Sequence, residues 1–110
     1  MTPNNFWIAS VEVGDGLMVR LSGELDIAGA EEVRRFVESD LENNEYGEVR
    51  FDCRGVTFID SIGVKALLHL ARRCAEIGVE PQFRMSARIE RVLTAMGLGS
   101  LGDLAVKLAG

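Results

Sequence analysis

One histidine, two cysteines and two prolines are all that the 110 residues contain of these types, and each scarcity closes off a class of chemistry. His69 falls inside an apolar-periodic stretch with no Asp/Ser pair at catalytic spacing, so a surface or boundary position is expected rather than a general base. Cys53 and Cys74 stand too far apart for a CxxC redox motif, and no His/Cys cluster has the spacing of zinc ligands. Both read as reduced, buried thiols, with a disulfide between them the weaker reading. No glycine-rich phosphate loop is present, neither a GxGxxG after a strand nor a Walker sequence, so no cofactor is expected. No apolar run approaches the roughly 20 residues that cross a bilayer. Residues 1–5 lack a basic stretch leading into a hydrophobic segment, so no signal peptide is read and the cytoplasm is the expected compartment. Cations are also in the minority: 12 Lys and Arg against 17 Asp and Glu leave a net charge of -5. That balance argues against nucleic acid, whose phosphates demand clustered Lys and Arg, and favours a protein or a small neutral ligand.

What is present fits an ordinary globular chain, 47% hydrophobic and 26% charged. No linker, repeat or low-complexity tract interrupts it, so residues 1–110 are read as a single domain. Phe6 to Glu12 is rich in strand formers, Gly14-Asp15-Gly16 makes a turn, and Leu17, Val19 and Leu21 then alternate with Met18, Arg20 and Ser22. This predicts an antiparallel hairpin. From Ala28 to about Asn43 the spacing turns helical, with Val33, Phe36, Val37 and Leu41 on one face and Glu31, Glu32, Arg34, Arg35 and Glu38 on the other. Val49, Phe51 and Cys53 read as a strand, followed after Gly55 by the apolar group Val56, Phe58 and Ile59. A second helix is predicted from about Ile62 to Ile77, with Val64, Leu67, Leu68, Ala71 and Ala75 as its buried stripe and Gly78 as its stop. Val79 to Met85 reads as a strand in which Pro81 signals an edge or an irregular start. Ser86 caps a third helix with Ile89, Val92, Leu93 and Met96 on its apolar face, closed by Gly97, and Leu101 to Ala109 is long enough for a last short helix. Strands separated by helices imply parallel neighbours and right-handed crossovers. The expected fold is a compact α/β domain, a mixed, mostly parallel sheet of four to five strands with an N-terminal hairpin, flanked by three to four helices. Phe6 and Trp7 are both expected to pack into its core, exposure of either pointing instead to a dimer face.

One segment carries more than fold. Phe58-Ile59-Asp60-Ser61-Ile62-Gly63 delivers a hydroxyl to the first turn of a helix, where free backbone N–H groups and the positive dipole end favour an anion. Gly63, lacking a Cβ, is expected to leave the hydroxyl open. Taken alone, Ser61 or Asp60 is most simply an N-cap, and Asp26 at the end of Leu21-Ser22-Gly23-Glu24-Leu25-Asp26 is another, with Gly23 marking a bulge or bend. The arginines Arg72, Arg73, Arg84, Arg88 and Arg91 are most simply solvated faces, with a basic patch for an acidic partner as the minority reading. Arg34 and Arg35 are placed to pair with Glu31 and Glu38 along one helix.

Together, in this order and spacing, Leu21-Ser-Gly-Glu-Leu-Asp26 and Phe58-Ile-Asp-Ser-Ile-Gly63 resemble the STAS-domain anti-sigma factor antagonists. Ala95-Met-Gly-Leu98 resembles that family's element near the carboxyl end, and the resemblance runs from about Phe6 to Leu108. It implies a regulatory protein, not an enzyme, without cofactor or metal. The unphosphorylated form would bind an anti-sigma factor, often a serine-protein kinase, and so release the sigma factor. Phosphorylation at Ser61 would switch binding off, and a PP2C-type phosphatase would reverse it. On this resemblance Asp26, Asp60, Ser61, Ile62 and Gly63 form the partner-binding surface, on a monomer or weak dimer that contacts neither nucleic acid nor membrane. Ile62 departs from the family, which usually has a second Ser or Thr there, and this bears on which kinase would recognise the site. The alternative is a STAS accessory subunit of a lipid or ABC-transport complex, whose members often lack the full Gly-Glu-Leu-Asp motif. As an enzyme nucleophile Ser61 is disfavoured, since there is one His and no GxSxG elbow.

Overall fold

Gly14, with φ of +63°, supplies the left-handed conformation that a two-residue hairpin turn needs. It joins strand β1 (Phe6–Val13) to strand β2 (Gly16–Leu25), which pair antiparallel from Phe6↔Gly23 to Val13↔Gly16. The computed structural model describes residues 5–41 and 45–98. After β2 come helix α1 (Ile27–Phe36), which continues as a π-helical turn over Val37–Leu41, strand β3 (Glu48–Ile59) and helix α2 (Ser61–Glu76). Strand β4 (Pro81–Arg84) and helix α3 (Ala87–Ala95) complete the described chain. The sheet order is β1-β2-β3-β4, with β2/β3 and β3/β4 parallel, so the expected mixed sheet forms with four strands.

Period-2 alternation decides the two faces of the sheet. Leu17, Val19 and Leu21 of β2 and Val49, Phe51 and Cys53 of β3 are buried, whereas the intervening Met18, Arg20 and Arg50 are exposed. The buried residues meet Val33, Phe36, Val37 and Leu41 from the α1 region and Val64, Leu67, Leu70 and Cys74 from α2 in one core. Phe83 on β4 stacks on Phe51 at 4.9 Å between ring centroids. The ion pairs that lace α1 are Arg34 with Glu31 and Glu38, and Arg35 with Glu32.

Several expectations shift. Trp7 is not in the core but half-exposed, because Phe6 occupies the core-facing position and alternation sends its neighbour to the opposite face. Leu68 and Ala75 are only partly covered, because α2 turns Leu70 and Cys74 inward instead. The fourth strand is shorter than Val79 to Met85 and lies at the sheet edge, as Pro81 requires. Asn43, at the expected end of the first helix, and the stretch from Leu101 to Ala109 lie outside the described residues. Both cysteines are free and buried, and burial pushes each thiol up to about 12. His69 is half-buried on α2.

Candidate functional site

The two inner parallel strands end in register at Leu25↔Ile59. The residues that follow, Asp26 and Asp60, therefore leave the sheet side by side, about 4.8 Å being the usual spacing of neighbouring strands. Each starts a helix. Asp26 adopts extended dihedrals and accepts hydrogen bonds on Oδ1 from the amides of Ala28 and Gly29, both at 3.1 Å. Asp60 has nearly the same backbone conformation and accepts from the amide of Gly63 at 2.9 Å. Two helix N-termini, each with a carboxylate at its cap, thus emerge next to one another at the carboxyl end of the parallel strands.

The same device seats both helices. Gly29 and Gly63 each stand three residues after the capping aspartate, and each is buried. A Cβ on Gly63 would lie 2.1 Å from the carbonyl oxygen of Leu25, and one on Gly29 would lie 2.9 Å from that of Glu24. Only glycine lets the first turns come so close to the end of β2. The role expected for Gly63, opening space around the neighbouring hydroxyl, is thereby corrected: its missing Cβ faces inward, onto β2. Gly23 has a related part, with φ of +98° and an added Cβ only 1.7 Å from the carbonyl oxygen of Asn5. It coincides with a register shift between β2 and β3, so the Gly-Glu-Leu-Asp segment owes its glycine to a bend that brings the chain's beginning across it.

Asp60, not Ser61, is the N-cap of α2; Ser61 is the first helical residue. Its side chain is exposed, and no hydrogen bond ties its hydroxyl to the described residues. The amides of Ser61 and Ile62 have no partner within the helix, as in any first turn, while that of Gly63 is taken by Asp60. An anion on Ser61 would sit where the helix dipole favours it. It would also sit beside two carboxylates.

Around the acids lie apolar side chains that solvent reaches: Ile27 at 66%, Phe58 at 49% and Ile62 at 40% exposure. Of these, Ile62 is foreseen from the sequence; Ile27, Phe58 and the seating role of Gly29 are not. The recurrence of Asp-x-x-Gly at Asp26–Gly29 and Asp60–Gly63 is a legible signal for the last. Phe58 is harder, because two register shifts in β3 against β2 break the alternation that would place it. Among the described residues no group of three or more His, Cys, Asp or Glu side chains is arranged to hold a metal ion. No helix of the described chain is long and apolar enough to cross a membrane.

The family model for the STAS domain matches residues 8–108. Among solved structures, the chain resembles the anti-sigma factor antagonist SpoIIAA in its unphosphorylated form, with TM-score 0.66, 22% identity, and coverage of 84% of this chain and 83% of that one. It also resembles the STAS domain of an anti-sigma factor antagonist from Rhodobacter sphaeroides, with TM-score 0.60, 21% identity, and coverage of 71% and 84%. A third likeness is to the murine anion transporter Slc26a9 in its inward-facing state, with TM-score 0.62 and 23% identity. There it covers 77% of this chain but only 14% of the transporter.

Proposed function

The chain belongs to the STAS domain family, and from that premise we propose that it is an anti-sigma factor antagonist switched by phosphorylation of Ser61. The observation that carries the reading is the placement of the Ser61 hydroxyl. It is exposed and unbonded on the first residue of α2, beside two carboxylate-capped helix starts and inside a rim of exposed Ile27, Phe58 and Ile62. In this reading the unphosphorylated surface captures an anti-sigma factor that is itself a serine-protein kinase, and the sigma factor is set free in the cytoplasm. The rim residues supply apolar contact, and Asp26 and Asp60 supply orientation.

Phosphate on Ser61 adds about -1.5 to -2 charges at neutral pH. The helix start accommodates that charge while it remains hydrated, so the fold persists. A partner packed over Ile27, Phe58 and Ile62 would have to strip its water next to Asp26 and Asp60, and binding weakens. A PP2C-type phosphatase restores the binding form. The domain itself performs no chemistry in this scheme; the phosphoryl transfer belongs to the kinase.

The likeness to the anion transporter favours a second reading, an accessory module of a transport complex. One experiment separates them: affinity capture from the native cytoplasm with wild type, Ser61→Ala and Ser61→Glu, read by mass spectrometry. Recovery of a kinase-type anti-sigma factor by the first two proteins but not the third is expected. Recovery of transporter subunits regardless of residue 61 would replace the antagonist reading with the second.

A further inference from the structure

The face of the sheet turned away from α1 and α2 is chemically divided. Along β1 and β2 it presents Trp7, Val11 and Met18, with Val11 directly opposite Met18 in the antiparallel register. These side chains are 50%, 58% and 37% exposed. Across β2, β3 and β4 the same face carries a shallow groove of about 440 Å³ in which Arg20, Arg50, Arg54 and Arg84 surround the single carboxylate of Asp52. Register fixes the order: Arg20 lies beside Asp52, and Asp52 beside Arg84. Asp52 is bound by Arg54 through Nε at 2.9 Å and approached by Arg20 Nε at 4.0 Å. Arg50 pairs with Glu48 at 2.9 Å at the rim. Arg84 has no carboxylate partner among the described residues. One groove therefore holds an excess of guanidinium in a chain whose net charge is -5.

We propose that this sheet face, which no described helix covers, is a second docking surface, separate from the Ser61 surface, and that its occupant is an acidic amphipathic helix of a partner protein. Carboxylates of such a helix meet Arg20, Arg54 and Arg84, and its apolar stripe covers Met18, Val11 and Trp7. Charge complementarity selects this occupant. An isologous pairing centred on the groove would set arginine against arginine at its axis. The apolar strip beside the cations offers a backbone phosphate nothing, whereas an amphipathic helix uses both halves. Arg84, noted from the sequence as a solvated arginine, gains its company only when β2 and β3 bring Arg20 and Arg54 alongside.

Trp7 is the only tryptophan, and its position on this face makes it a built-in reporter. The full chain is titrated with a tryptophan-free synthetic helix of Glu and Leu patterned to one apolar stripe, with its Lys-for-Glu counterpart and a thymidine oligonucleotide as comparisons. A saturable blue shift with the acidic peptide alone is expected, weakening as salt rises. Arg20→Glu combined with Arg84→Glu should raise its Kd by about tenfold or more. The equal reversal Arg88→Glu with Arg91→Glu, on the exposed side of α3, should leave it unchanged. Far-UV circular dichroism checks the fold, and Arg84→Ala alone, which breaks no ion pair, should weaken binding in the same direction if the double reversal unfolds. Absence of saturable binding overturns the proposal. So does equal binding of the basic peptide or the oligonucleotide, indifference to the Arg20/Arg84 reversal, or sedimentation showing that a second copy covers Trp7.

Discussion

Replacing Gly63 by alanine tests whether the site is held rigidly by the close approach of α2 to β2. In an unconstrained helix the change stabilises, by about 0.5–1 kcal/mol, because alanine loses less backbone freedom. Here the new Cβ would stand 2.1 Å from the Leu25 carbonyl oxygen and 2.9 Å from Ile59 Cγ1. Ordinary contact begins at 3.4 Å, so the first turn of α2 must retreat by more than an ångström or β2 must yield. The obstructing atom is backbone oxygen at the end of a paired strand, which cannot rotate away. Overpacking of this kind costs typically about 1–3 kcal/mol and occasionally more. Two comparators isolate the cause. Gly78→Ala, with φ of +83° and nothing within 4 Å of the added atom, meets only backbone strain of about 1–2 kcal/mol. Ser61→Ala alters an exposed hydroxyl and should be near neutral. Thermal unfolding followed by circular dichroism, with urea titration for the free energy, should place Gly63→Ala about 10 °C or more below wild type. A Gly63→Ala protein as stable as wild type would refute the seating argument, and with it the claim that Ser61 is presented on a fixed frame.

Asp26→Ala removes the acceptor of two first-turn amides and should cost about 1 kcal/mol, with Asp26→Asn recovering most of it. Cys53 and Cys74, pushed up to about 12 by burial, should resist a thiol reagent at pH 8 in the native state and react after unfolding. Because their folded values lie above the usual 9.0, the stability linked to them is complete below pH 9 and is lost as pH rises from there toward 12, which an alkaline stability profile reads. Asp52 has the opposite sign. The Arg54 side chain beside it is the chief reason that its carboxyl falls to about 2, so its contribution is complete above pH 3.8 and is lost as pH drops toward 2. Asp52→Asn should flatten that acid limb.

Much of the fold was legible because its elements are locally consistent. The alternation of Leu17, Val19 and Leu21, the stripe of Val33, Phe36, Val37 and Leu41, and the stops at Gly78 and Gly97 all follow from short-range rules. What escaped depends on register. Trp7 and Phe6 are equally apolar, and only the pairing of Phe6 with Gly23 decides which faces the core. The two register shifts between β2 and β3 carry Phe58 to the surface, and nothing in the order of apolar residues announces them. At the site, the cap at Asp26 is readable from residue type, and the sequence leaves the second cap open between Ser61 and Asp60, which the structure gives to Asp60. The inward use of Gly29 and Gly63 depends on how closely two helices approach the end of one strand. Ser61 was singled out by its neighbours in sequence, but its exposure and its free hydroxyl are facts of three dimensions.

This geometry also bears on how a switch at Ser61 would operate. A conformational mechanism needs an element with two arrangements of similar energy. Around Ser61 the structure holds little slack: a Cβ added at Gly63 or Gly29 would stand 2.1 or 2.9 Å from a carbonyl oxygen of β2, and Asp60 already holds the amide of Gly63. Moving α2 to answer a new charge would break a cap and open the core beneath Val64 and Leu67. A phosphate there would instead be tolerated in place, stabilised by the helix start it is attached to and by water. Its effect would therefore be felt by whatever must displace that water. A phosphomimetic Ser61→Glu protein should accordingly keep wild-type amide chemical shifts throughout the sheet and the core, with changes confined to the first turns of α1 and α2, while partner binding falls by about 100-fold, equivalent to about 2.7 kcal/mol. Shifts spreading through β3 and β4 on Ser61→Glu would instead mean that the domain itself rearranges, and the rigid-frame account of the switch would have to be abandoned.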